Sequence, residues 1–182
     1  MDTMQAMLLA VLQGVTEFLP ISSSAHLVIP SLVLGWQDQG LSFDVAVHVG
    51  TLLAVVLYYR RELLDMAASC FGLLRGQAAN DDISLVLYLA VATVPVCVVG
   101  FVADGFIESQ LRTLPVIATT TLVFGLLLGL ADRRAQRASS FVTLTLFAAL
   151  VIGLAQALAP VPGVSRSGIT LTARLLLGLN RA

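Results

Sequence analysis

Few side chains in this chain are equipped for reactive chemistry, and they gather in two short stretches. The first runs Gln13-Gly-Val-Thr-Glu17-Phe-Leu-Pro20-Ile-Ser22-Ser23-Ser24-Ala-His26. Gln13 and Glu17 are four residues apart and share a helix face. Glu17 is the only carboxylate in the first 37 residues apart from Asp2. A carboxylate in an apolar helix is costly unless a partner meets it. Glu17 therefore reads as a general base or a metal ligand, or as a group pinning the turn that follows. Ser22, Ser23 and Ser24 come directly after the break at Pro20. One of them is expected to cap the next helix, while a neighbour serves as a nucleophile. A serine hydroxyl needs a nearby base to attack, and Glu17 and His26 are the bases within reach in sequence.

The second stretch runs Pro160-Val-Pro162-Gly163-Val-Ser165-Arg166-Ser167-Gly168-Ile-Thr170. Gly163 allows the backbone to approach an anion closely. An Arg at membrane depth must meet a negative partner, and its planar fork suits phosphate. Arg166 is thus a phosphate clamp flanked by the Ser165 and Ser167 hydroxyls; the competing reading is a structural ion pair with Glu17. His48 lies in an apolar run and either lines a cavity or is hydrogen-bonded within its helix. Arg60 and Arg61 anchor a helix end, and Trp36 is an interfacial aromatic.

The elements that must hold these residues are membrane elements. The chain is 58% hydrophobic and 12% charged, against about 25% charged in a soluble domain, and its mean hydropathy is +0.94. The fold class is an all-α polytopic membrane protein. A net charge of −1, with ten Arg and no Lys, leaves no nucleic-acid footprint. Cys70 and Cys97 give no disulfide framework. Three runs, 43–59, 83–103 and 114–131, are long enough to cross a bilayer. Arg60, Arg61 and Arg75 fill the 60–82 loop, and Arg133, Arg134 and Arg137 fill the 132–140 loop. These two loops face the cytoplasm by the positive-inside rule, and the 104–113 loop faces out.

The polar stretches break runs too short to span. Residues 4–35 and 141–182 each read as a re-entrant helix–loop–helix hairpin, broken where Pro cannot continue a helix. Non-helical backbone at that depth is tolerated where it is buried in protein or lines a wet cavity. At an offset of 143 residues, Gln13 meets Gln156, Ser22 meets Ser165, Ser24 meets Ser167 and Gly35 meets Gly178. With three spans between the copies, the second is upside down. The chain is then one membrane domain, with a first repeat at 1–131 and an incomplete second repeat at 141–182. Inverted repeats place their site where the breaks converge, and completing the second repeat predicts a protein of about 270 residues. The chain is expected to be an N-terminal fragment of it.

Gln13-x-x-x-Glu17-Phe-Leu-Pro20-x-Ser-Ser-x-x-His26 and Pro162-Gly163-x-Ser165-Arg166-Ser167-Gly168-x-Thr170 resemble the two signatures of the undecaprenyl-pyrophosphate phosphatase family of the bacitracin-resistance type. Phe43 to Arg61 is similar to the stretch that follows in that family. The resemblance covers essentially the whole chain. It implies hydrolysis of undecaprenyl pyrophosphate to undecaprenyl phosphate and inorganic phosphate, recycling the carrier lipid for cell-wall synthesis. It implies a multi-pass protein of the bacterial inner membrane, and the Arg counts of the short loops put the opening of the site on the outer face.

By motif, Glu17, Ser23 and His26 take the catalytic positions. Ser22, Gly163, Ser165, Arg166, Ser167 and Thr170 take the phosphate-binding ones. Glu17 and Gln13 take the acidic-motif positions, where a divalent cation, Mg²⁺ or Ca²⁺, is implied. Gln13 stands where many members have Glu, so a metal would rest on phosphate oxygens and water as well. Attack by Ser23, or by water with Glu17 or His26 as base, both fit the motif. The implied partners are the polyprenyl substrate and membrane lipids, and a homodimer is kept as a candidate assembly. The competing function is a lipid-phosphate flippase or anion transporter, which needs the clamp but no nucleophile. A phosphatidic-acid-type phosphatase would need a Lys-containing motif.

Overall fold

The computed structural model describes residues 2–135 and 143–179. Arg137 and the ends of the second hairpin, 141–142 and 180–182, lie outside the described residues. Helix α1 (Thr3–Thr16) starts at a capping box between Asp2 and Gln5, and α2 (Ser23–Leu34) starts at Ser22, whose Oγ accepts from the Ala25 amide. Helices α3 (Gly40–Tyr58), α5 (Asp81–Phe106) and α6 (Leu114–Ala135) follow. Each is long and apolar enough to cross a membrane. The expected spans therefore stand, each a few residues longer than the apolar run that marks it. Almost none of these helices' surface is buried within the protein. Phe101 on α5 is 91% exposed, which suits a lipid-facing side chain.

One element is absent from the sequence expectation. The 60–82 segment is not all loop: Arg60–Leu74 forms α4. Its hydropathy is too low for a span, but Leu63, Leu64, Met66, Ala67 and Ala68 are strong helix formers. α4 is tied to the start of α5 by Ser69, which donates to Asp82 at 2.8 Å and accepts from Asn80 at 2.9 Å. At the other end of α5, a π-helical turn (Ile107–Leu111) leads to Arg112, whose Nη2 lies 3.3 Å from Asp44 Oδ2 near the start of α3. The Arg-rich ends of α3 and α6 thus lie opposite the side carrying Arg112, as the alternation of loop charge predicts.

Helices α7 (Leu146–Gln156) and α8 (Arg166–Leu176) form the second broken pair. α7 packs on α5, and α8 packs on both α6 and α7. The α5–α7 contact is close because position 153 is glycine; a Cβ there would sit 2.7 Å from Ala92 Cα. Burial concentrates on α2, α8 and the segment before α8: Ala25, Leu27, Val28, Val164, Ile169, Ala173 and Leu175 are all buried. The core therefore lies around the two helices that follow the breaks, which is what fixes the residues at their N-termini.

Candidate active site

The two breaks meet each other. Ser22 Oγ accepts from the Gly163 amide at 3.1 Å, across 141 residues. In return Ser167 Oγ donates to the Leu19 carbonyl at 2.8 Å. Each break repeats one local pattern. Ser22 caps α2 through the Ala25 amide and lies 3.1 Å from Ser24 Oγ. Ser165 caps α8 through the Gly168 amide and lies 3.0 Å from Ser167 Oγ. Gly35 and Gly178, paired at the same offset, both have positive φ, +68° and +76°.

The second break is held from α6. Thr120 Oγ1 donates toward the Pro162 carbonyl at 2.7 Å, and Thr121 Oγ1 toward the Gly163 carbonyl at 3.4 Å. Gly163 has φ +92°, and a Cβ there would strike Thr120 Oγ1 and lie 2.7 Å from the Ile117 carbonyl. Only glycine fits that turn, for reasons of both conformation and space. Thr120 and Thr121 escaped the sequence reading. Their only signal was a run of three threonines inside an otherwise apolar span.

At the first break, three groups converge on one oxygen. Glu17 Oε2 accepts from Ser23 Oγ at 2.6 Å and from Gln13 Nε2 at 2.9 Å. His48 Nε2 stands 3.6 Å from the same atom. Gln13 is fully buried, and its Oε1 has no hydrogen-bond partner. Glu17 is thus met by hydrogen bonds and an imidazole, and no Glu17–Arg166 ion pair forms. Arg166 is exposed at the first turn of α8.

Two cavities border these groups. A small one of about 150 Å³ is walled by Glu17, the three serines, Ser165 and Arg166. A larger one of about 680 Å³ runs along α3 past Leu41, Val45, Val49, Leu52 and Val55, and Asp44, Asp104, Glu108 and Arg112 also line it. Glu17, Ser24, His48, Pro160 and Arg166 border both, so the cavities join at these residues. The arrangement can hold a small anion against an Arg and the N-termini of α2 and α8, whose first amides lack helical partners. It also leaves a mostly apolar cleft along α3 beside the anion site.

The expected residues divide. Glu17, Ser23 and Arg166 come together at the small cavity. Ser22 and Ser165 border it too, but their hydroxyls are engaged in capping. Gly163, Ser167 and Thr170 border neither cavity; Thr170 Oγ1 donates back to the Arg166 carbonyl at 2.9 Å. His26 also borders neither, and its Nδ1 lies 2.6 Å from the Ser22 carbonyl. The imidazole beside Glu17 is His48.

The family model described as bacitracin resistance protein BacA matches residues 6–182. An undecaprenyl-diphosphatase of Saccharophagus degradans is 56% identical over 182 residues, covering all of this chain and 68% of the relative. One from Alcanivorax borkumensis is 57% identical over 181 residues, again with 68% of its length covered. Undecaprenyl-diphosphatase 1 of Pseudoalteromonas translucida is 50% identical over 181 residues, with 68% covered. With both signatures meeting in one site and the match running almost end to end, the chain belongs to the bacitracin resistance protein BacA family.

Proposed function

We propose that this protein hydrolyses undecaprenyl pyrophosphate to undecaprenyl phosphate and inorganic phosphate in the bacterial inner membrane. The observation that carries the reading is the Ser23–Glu17 hydrogen bond of 2.6 Å in a small polar cavity that also holds Arg166 and joins the mostly apolar cleft along α3. A diphosphate on a long isoprenoid needs that combination.

The steps follow from these atoms. Arg166 and the first amides of α2 and α8 hold the phosphate oxygens. Ser23 passes its proton to Glu17 Oε2 as Oγ bonds to the terminal phosphorus. The bond from that phosphorus to the bridging oxygen breaks, and undecaprenyl phosphate leaves with the electron pair. Glu17 hands that proton to the departing undecaprenyl phosphate. It then takes a proton from water as the water oxygen bonds to the phosphoserine phosphorus. The bond from phosphorus to Ser23 Oγ breaks, and Oγ leaves with the electron pair and takes the proton back from Glu17, freeing inorganic phosphate. Phosphoryl transfer rests mainly on positioning and charge stabilisation, so the clamp matters as much as the nucleophile. His26, turned to a backbone carbonyl, is given no proton-transfer step.

A divalent cation fits the donor set. Among the described residues no group of three or more His, Cys, Asp and Glu could hold one. Mg²⁺ in particular is often bound through one or two carboxylates plus substrate phosphates. Glu17 would hold it with the diphosphate oxygens, and the unpartnered Gln13 Oε1 is a second protein oxygen on the same helix face. Such an ion neutralises phosphate charge in the transition state.

The repeated caps and paired glycines support two inverted repeats, each opening with a re-entrant hairpin. The site would then open outward: His48 lies eight residues inside α3, about 12 Å from its outer end. The test is phosphate release from undecaprenyl pyrophosphate in detergent by the parent, Ser23→Ala and Arg166→Ala, each with Mg²⁺ or EDTA. Release by the parent with Mg²⁺, lost in both variants and in EDTA, is expected. No release by a well-folded parent would move the transporter reading to the front, and retained release in EDTA would remove the cation.

A further inference from the structure

We propose that α4 is an interfacial helix that docks on anionic phospholipid, its apolar stripe among the acyl chains and its arginines among the headgroups. The proposal goes beyond hydrolysis and concerns a face that the candidate active site does not use.

Leu63, Leu64, Phe71 and Leu74 form one stripe along α4, and all are exposed, Leu74 to 82%. The other side makes the contacts within the protein: Ser69 bonds to Asp82 and Asn80, and Gly72 is buried. The charges are sorted by the same geometry. On an ideal helix Arg60 lies about 10° from the centre of the stripe, Arg75 about 70° and Arg61 about 110°, while Glu62 and Asp65 lie about 150° away. Arg60 Nη1 donates to the Leu57 carbonyl at 2.7 Å, where α3 gives way to α4. Among the described residues, none of these three arginines has an ion pair with a carboxylate.

Two points hold α4 at the level where the helices leave the apolar layer. Arg60 opens α4 only one residue after α3 ends. Ser69, nine residues on, donates to Asp82 in the first turn of α5. The axis between them, about 14 Å long, therefore runs along that boundary and not away from it. Exposed Tyr58 and Tyr59 stand at the joint, as aromatics do at a membrane–water interface.

A helix lying at this level, with an apolar stripe edged by cations and with its acids turned away, matches a lipid surface of negative charge. Phosphodiester headgroups answer the guanidinium forks while the acyl chains cover the leucines. A second copy of the chain covering the stripe would leave the arginines unanswered.

The test places a tryptophan on each side of α4 in the parent chain, with every native tryptophan, Trp36 included, changed to Phe. Leu64→Trp and Phe71→Trp report the stripe, and Glu62→Trp reports the far side. Each is reconstituted in vesicles of equal phosphatidylcholine and phosphatidylglycerol, with bromine on the acyl chains of one lipid at a time. Bromine should quench both stripe positions, at least about twofold more strongly from phosphatidylglycerol. Aqueous iodide should quench Glu62→Trp instead. Changing Arg60, Arg61 and Arg75 together to Gln should level the two lipids. Iodide quenching of both stripe positions would place the stripe in water and overturn the proposal. Protection from both quenchers would mean that protein covers it, a second copy or another part of the chain, and would overturn it equally. Equal quenching by the two lipids in the parent would overturn the assignment to anionic headgroups. Thermal unfolding in detergent identifies any variant that misfolds, and the aromatic exchange Phe71→Trp keeps the test available if Leu64→Trp does.

Discussion

The two breaks are built alike and equipped differently. Each caps its outgoing helix with the first serine of a Ser-x-Ser pair, and each pair lies about 3 Å apart. Around that shared frame, aligned positions carry unlike groups: Glu17 stands against Pro160, Pro20 against Gly163, and Ser23 against Arg166. One break supplies a hydroxyl and a base, the other a cation. The capping bonds recur because they satisfy backbone amides that any helix start leaves open. In the proposed hydrolysis the groups differ because a nucleophile and its clamp reach the same phosphate from different directions. One turn cannot do both.

Measurements that separate the two breaks differ widely in expected size. Arg166→Lys keeps the charge and loses the planar fork, so its rate should stay below about a tenth of the parent's. Glu17→Gln should lose about 100-fold or more in kcat with KM near the parent value. If Lys at 166 restored full activity, the second break would be a simple point charge. Next in size is the turn itself. Gly163→Ala places a Cβ against α6 at φ +92° and is expected to cost about 2 kcal/mol or more. The aligned Pro20→Ala meets no such wall and should cost less, as read by thermal unfolding in detergent. Equal losses would mean that the first turn is held as tightly as the second. The smallest difference concerns the caps. Ser165→Ala should cost about 1 kcal/mol. Ser22→Ala should cost about 1 kcal/mol more, because Ser22 Oγ also receives the Gly163 amide. Equal caps would remove the cross-link from the account.

Much of this was legible beforehand. The three spans and the two broken helices follow from apolar runs interrupted by Pro and serine, whereas Ser23 was singled out beside Glu17 and Arg166 by the resemblance of the two signatures. Helix α4 was not legible, since charge in a loop and charge on an amphipathic helix look alike at the level of composition. His26 illustrates the limit of neighbourhood in sequence. It lies three residues from Ser23, yet its ring turns back to the Ser22 carbonyl.

The sequence by itself determined what is local: which segments are apolar enough to leave water, where Pro stops a helix, and which serines can cap the next one. Those outcomes depend on groups within a turn of one another. Only the tertiary structure decided which imidazole meets Glu17, and that α6 offers Thr120 and Thr121 to the second turn. It also decided that Ser22 is spent on Gly163 while Ser23 is left to face the cavity. Contacts between residues tens of positions apart depend on how helices pack, and packing registers over the whole chain at once.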